Sequence, residues 1–98
     1  MTTRTLTIEV DAPSPRQRPI DRTEVSLRSN PEFDWSYHDA VAGEGVHEMV
    51  FENVQPGMMY YQVITYDDQN TPSNAVVVSA EAEWDAPSDP TVTVTDSD

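Results

Sequence analysis

Residues 54–66 read Val54-Gln55-Pro56-Gly57-Met58-Met59-Tyr60-Tyr61-Gln62-Val63-Ile64-Thr65-Tyr66. Pro56 presets φ and Gly57 permits a positive φ, so the pair suits a tight corner. The residues that follow, 58–66, are β-branched or aromatic on both faces, the pattern of a central strand covered on each side. Tyr60 lies three positions beyond Gly57, where its ring is expected to be buried and its hydroxyl to return to nearby backbone. Whether this corner belongs to an all-β domain depends on the segments around it.

Those segments alternate. Leu6, Ile8 and Val10 face one way and Thr5, Thr7 and Glu9 the other, which predicts a first strand over 4–11. From Ala12 to Pro19 the prolines at 13, 15 and 19 remove ladder donors and predict an extended, polyproline-like loop. Val25 and Leu27, flanked by Glu24, Ser26 and Arg28, predict a second strand. Phe33, Trp35 and Tyr37 alternate with Asp34, Ser36 and His38 as a third, after a turn at Asn30-Pro31. Beyond Gly43-Glu44-Gly45, residues 46–53 predict a strand with Met49 and Phe51 on one face. Downstream of the opening stretch, residues 67–74 form a polar loop and Ala75–Val78 begins a last main strand running toward Trp84. No 3.6-residue period appears. Short strands at such intervals predict an all-β antiparallel sandwich over residues 1–84, with 85–98 as an acidic C-terminal tail. Within that tail, Thr91–Thr95 alternates through Val92 and Val94 and is a candidate added strand, held by a neighbouring subunit or laid over its own sheet.

The run from Val54 to Tyr60, continued by Tyr61–Ile64 and by Asn70–Val78, resembles the corner, strand and following connection of a fibronectin type III domain. The family pattern is a hydrophobic residue, any residue, Pro-Gly, two residues and Tyr. The resemblance spans Gly45 to Ala80 and implies an immunoglobulin-like sandwich of about seven strands. It also implies a tyrosine corner made by Pro56, Gly57 and Tyr60. The span between the second strand and that corner is short for the family, which leaves a strand reduced or missing. Transthyretin-like and other immunoglobulin-like sandwiches share the corner.

Charge is divided sharply along the chain. Arg4, Arg16, Arg18, Arg22 and Arg28 are its only basic residues, and fourteen carboxylates follow Arg28 without a single Lys or Arg, for a net charge of −13. Such a balance repels phosphate, so nucleic acid is not an expected partner. A disordered acidic chain would lack the 37% hydrophobic content and the period-2 stretches found here. Adaptation to concentrated salt, where repulsion is screened within about 3 Å at 1 M, accounts for the acidity better. Replacement of Lys by Arg and acid resembles the composition of extremely halophilic archaea and their viruses. No apolar run is long enough for a membrane span, and the start Met-Thr-Thr-Arg-Thr lacks the apolar core of a secretory signal. The expected location is therefore cytoplasmic synthesis, with a virion surface as the destination after assembly.

Catalytic chemistry finds little support. There is no cysteine, no Gly-x-Ser-x-Gly elbow and no phosphate-cradling glycine loop. Paired carboxylates for glycoside hydrolysis need a cleft that one small sandwich rarely supplies. His38 and His47 would meet only across paired strands and would still need a third ligand. Asp34, Asp39, Asp67 and Asp68 could gather at loop ends around a hard cation, with Asp67 and Asp68 the nearest to a metal site, but no calcium-loop pattern accompanies them. The chain is accordingly expected to be non-enzymatic and without a cofactor. Arg16, Arg18 and Arg22 are the candidate partner-binding residues, since guanidinium groups on an extended loop can fork onto carboxylates of an acidic protein neighbour. The alternative is pairing within the domain, with Asp21, Glu24 or the acidic later strands. The function these features suggest is a structural or interaction module, one subunit of a larger assembly. Its most concrete form is a capsid decoration, turret or tail protein of a halophilic archaeal virus. A carbohydrate or cell-surface binding module, with Trp35, Tyr37 or Trp84 forming a flat platform, is the second reading.

Overall fold

A computed structural model of the chain describes residues 2–84, 86–87 and 89–97. Its elements in chain order are β1 (Thr2–Val10), β2 (Ile20–Arg28), β3 (Ser36–Ala42), β4 (Gly45–Val54), β5 (Gly57–Asp67) and β6 (Val76–Ala82). No helix occurs among the described residues. The strands form two antiparallel sheets, one of order β1-β4 and one of order β3-β2-β5-β6. The all-β class and the two-sheet arrangement thus follow the alternation in the sequence.

Register explains the core. Thr23, Val25 and Leu27 of β2 lie opposite Thr65, Val63 and Tyr61 of β5, and these six point toward the smaller sheet. From that sheet come Ile8 and Val10 of β1 and Met49 of β4, all buried, with Leu6 and Phe51 beside them. Val25 and Tyr61 are the largest fully buried apolar side chains, and burying each is worth roughly 1.5–3 kcal/mol. Thr23, the one fully buried polar residue among the described residues, satisfies its hydroxyl on Thr65 Oγ1 at 2.8 Å. A buried hydroxyl without such a partner would be destabilising.

Several details depart from the sequence reading. The third strand starts at Ser36, not Phe33. Asn30 turns the chain, with its carbonyl accepting from Phe33 N at 3.0 Å and its Oδ1 from Glu32 N at 2.9 Å. That turn carries Phe33 to the surface, and Trp35 lies under the Arg28 guanidinium at 4.0 Å. The loop before β2 also contains a tight turn, Gln17 N to Ser14 O at 2.9 Å. Gly43 and Gly45, with φ of 73° and 114°, mark a passage between sheets, since β3 pairs with β2 and β4 pairs with β1. Six strands are present among the described residues, one fewer than the resemblance implied.

The corner itself shows an instructive difference. Gly57 adopts φ 118° and opens β5 directly, so residues 59, 61 and 63 face inward. Tyr61, not Tyr60, is therefore buried, and its hydroxyl accepts from Arg4 Nη1 at 2.9 Å. Tyr60 sits on the outer face, opposite Arg28 and Ser79. β5 is interior to its sheet, as expected, but its outer face is covered only by side chains, such as Arg22 over Tyr66 at 4.4 Å. The described part of the tail belongs to no strand; Thr91–Thr95 is exposed, while Met1, Asp85, Ser88 and Asp98 lie outside the described residues.

Candidate functional site

A two-stranded sheet cannot cover a four-stranded one, and the consequence falls on β6. Pairing with β5 puts Val76 opposite Val63 and Val78 opposite Tyr61, so both valines point inward. They nonetheless remain 58% and 43% exposed, whereas Ala82 at the other end of the strand is 6% exposed. Between β6 and β1 a groove of ≈ 250 Å³ runs along the flank of the sandwich, lined by the apolar Leu6, Ile8, Val63, Val76 and Val78 together with Thr7, Glu9, Thr65 and Ser73. β1 pairs with β4 on one side and with no strand on the other. Its second edge therefore presents unpaired N–H and C=O groups beside the groove.

That edge is guarded at one end only. Natural edge strands are blunted by Lys, Pro, bulges or inward charges. β1 has no Lys and no Pro; its register shift lies at its start, between Thr2 and Arg4, and its inward charge, Arg4 on the Tyr61 hydroxyl, lies at that same end. From Thr5 to Ile8 it offers strand backbone with Leu6 and Ile8 turned into the groove.

At one end the groove opens into a polar cleft of ≈ 520 Å³ lined by Glu9, Asp11, Arg16, Arg18, Asp67 and Ser73. Here the proposed arginine cluster divides. Arg18 forks onto Asp68, Nε to Oδ1 at 2.6 Å and Nη2 to Oδ2 at 3.2 Å. Arg22 donates to Glu24 at 2.8 Å, Asp21 at 2.9 Å and Asn70 at 2.8 Å. Hydrogen bonds to these carboxylates push both guanidinium groups further above their ordinary value. Arg18 and Arg22 thus follow the intramolecular alternative, and Arg16 carries no ion pair or side-chain hydrogen bond among the described residues.

The acidic candidates are likewise engaged. Asp67 Oδ1 accepts from the backbone N–H groups of Gln69 and Thr71, both at 2.9 Å, and the Thr71 bond leads in holding its carboxyl below the usual aspartate range. Asp68 is occupied by Arg18. His38 stacks on Phe51 with centroids 4.7 Å apart, and a ring nitrogen of His47 meets Gly43 O at 3.1 Å. These histidines sit on strands of different sheets, so the pairing that would bring them together does not exist. No group of three metal-ligating side chains occurs among the described residues.

The aromatic residues are separated. Tyr37 lies on β3 and Trp35 just before it, while Trp84 follows β6, at the opposite end of the strand order and about 14 Å across the sheet. The flank groove was not singled out from sequence. Its signal was present in the run Val76-Val77-Val78, where an alternating strand would have been expected to place a polar residue on each exposed face. No helix among the described residues is long and apolar enough to cross a membrane. No protein-family model, curated protein or solved structure matches this chain.

Proposed function

We propose that this chain is a non-enzymatic structural module that acts as one subunit of a larger protein assembly working in concentrated salt. The observation that carries this reading is the open flank: inward-facing Val76 and Val78 left exposed beside a free strand edge. Exposed apolar grooves with a free edge are sites where another chain adds. Composition gives the concrete form, a virion component such as a capsid decoration, turret or tail protein of a virus of halophilic archaea, exposed on the particle surface.

The strand order supports an immunoglobulin-like, fibronectin type III-like assignment. In immunoglobulin-type sandwiches strands C, F and G share one sheet, C′ joins it, and A, B and E lie in the other. The order β3-β2-β5-β6 corresponds to C′-C-F-G, and β1-β4 corresponds to B-E. On this assignment no strand among the described residues corresponds to A, whose place is beside B, along the free edge of β1. On the same assignment the second strand is C, and the short span between it and the corner holds C′ and E.

The test is the association state of the purified protein in multimolar salt, by sedimentation velocity, together with capture of its neighbours from native particles. Oligomers or a defined protein neighbour are the expected result. A strictly monomeric protein that binds glycans and has no protein neighbour would sink the assembly reading.

A further inference from the structure

We infer that the flank groove is filled by a strand from a second copy of this chain, residues Thr91–Thr95 of its C-terminal tail, added along the free edge of β1. This rests on the subunit reading above and names the partner and the contact. The groove requires an occupant with two features: backbone able to pair with β1, and apolar side chains two residues apart to lie beside Leu6 and Ile8. The segment Thr91-Val92-Thr93-Val94-Thr95 has both. It is uncharged, rich in β-branched residues and free of Pro, and Val92 and Val94 carry the required spacing. In the structure these two valines are 79% and 81% exposed, so the groove and the segment are each without a partner.

The donor is assigned to another copy because the segment is not seated on its own body. Thr91–Thr95 belongs to no strand, and Val92 and Val94 lie exposed with the groove of the same chain open. Pro87 and Pro90 favour extended backbone in Ala86 and Asp89, a conformation suited to reaching a neighbour. Reciprocal exchange would close a two-fold dimer, and one-way exchange would build a ladder. Both place the same two surfaces in contact.

Placing Val92 and Val94 beside Leu6 and Ile8 sets Thr93 next to Thr7, whichever direction the added strand runs. Thr7 is exposed, and the chain contains no cysteine, so a Thr7→Cys chain and a Thr93→Cys chain each carry one thiol. Mixed and oxidised in multimolar salt, they are expected to give a disulfide-linked product containing one chain of each kind. Val92→Asp with Val94→Asp on the donor should lower that yield by about a hundredfold, because both buried side chains become charged. A chain truncated after Trp84 retains every strand and should remain folded but fail to associate, while a peptide of residues 86–98 should bind it. Absence of the mixed product would overturn the inference, as would a link formed only within one chain when both cysteines are on the same molecule. If the truncated chain still assembles, strand addition is wrong while the subunit reading stands. If the full chain never associates in salt, both fall.

Discussion

Thr23 shows how a single buried hydroxyl is kept in this core. It is fully buried, and its only side-chain partner is Thr65 Oγ1, which lies at the margin of the open groove. The two residues are consequently not equivalent. Thr65→Val strands a hydroxyl with no access to water and should cost about 1–3 kcal/mol, whereas Thr23→Val leaves one that water can reach and should cost less. The double variant should recover most of the loss, and chemical denaturation of the three proteins measures all of this. Asp67 supplies a second prediction at this scale. Its carboxyl is depressed by hydrogen bonds from loop N–H groups, so the order it confers is complete above the ordinary aspartate range. That order is lost as pH falls through the lower, folded value. Amide exchange at Gln69 and Thr71 should accelerate there, and Asp67→Asn should show weaker protection at neutral pH and no such acid step. Tyr60 marks the limit of reading at this scale. The Pro-Gly pair announces a corner, but whether residue 60 or 61 faces the core depends on where the strand begins, and one residue of difference exchanges the faces.

At the level of elements, β1 and β2 could be placed from alternation because each has one face pressed on apolar neighbours, as with Leu6, Ile8 and Val10, while β5 was legible as a β-branched and aromatic run apolar on both faces. β3 was misplaced at its start, since Phe33 and Trp35 alternate like strand residues although Asn30 holds the first in a turn and Arg28 covers the second. Pairing was less legible still. A Gly-Glu-Gly turn looks the same whether the chain reverses within a sheet or passes to the other one, and only the competition among complete sheets decides. The loop arginines follow similar logic: their type indicates carboxylate pairing, but the fold selects the partners. Arg18→Gln should therefore increase exchange across residues 67–72 and leave association unchanged, because its fork onto Asp68 is internal. Arg16→Gln should leave the loop intact and weaken association modestly near 0.1 M salt, with little effect at 1 M, where charge is screened within about 3 Å. Equal effects of the two substitutions on association would remove the distinction drawn between them.

For the whole molecule, net charge and the open flank make opposite demands on assembly. Each copy carries −13, and at about 0.1 M salt, with a screening length near 10 Å, two copies brought together along β1 repel over distances comparable to the spacing of the sheets. Burial of Val76, Val78, Val92 and Val94 favours the contact at any salt and does not depend on charge. Raising the salt removes the repulsion and leaves the burial. Association through the flank should consequently strengthen as KCl rises from about 0.1 M to above 1 M. Association dominated by arginine on an acidic neighbour should weaken over the same range, because the attraction itself is screened. Sedimentation velocity across a salt series distinguishes the two by the sign of the slope. A weight-average mass that grows with salt in the full chain but stays monomeric in the chain truncated after Trp84 ties the growth to the tail. A mass that falls with salt would show that the acidic surface, despite its repulsion, is the means of contact, and that the groove is not what holds the copies together.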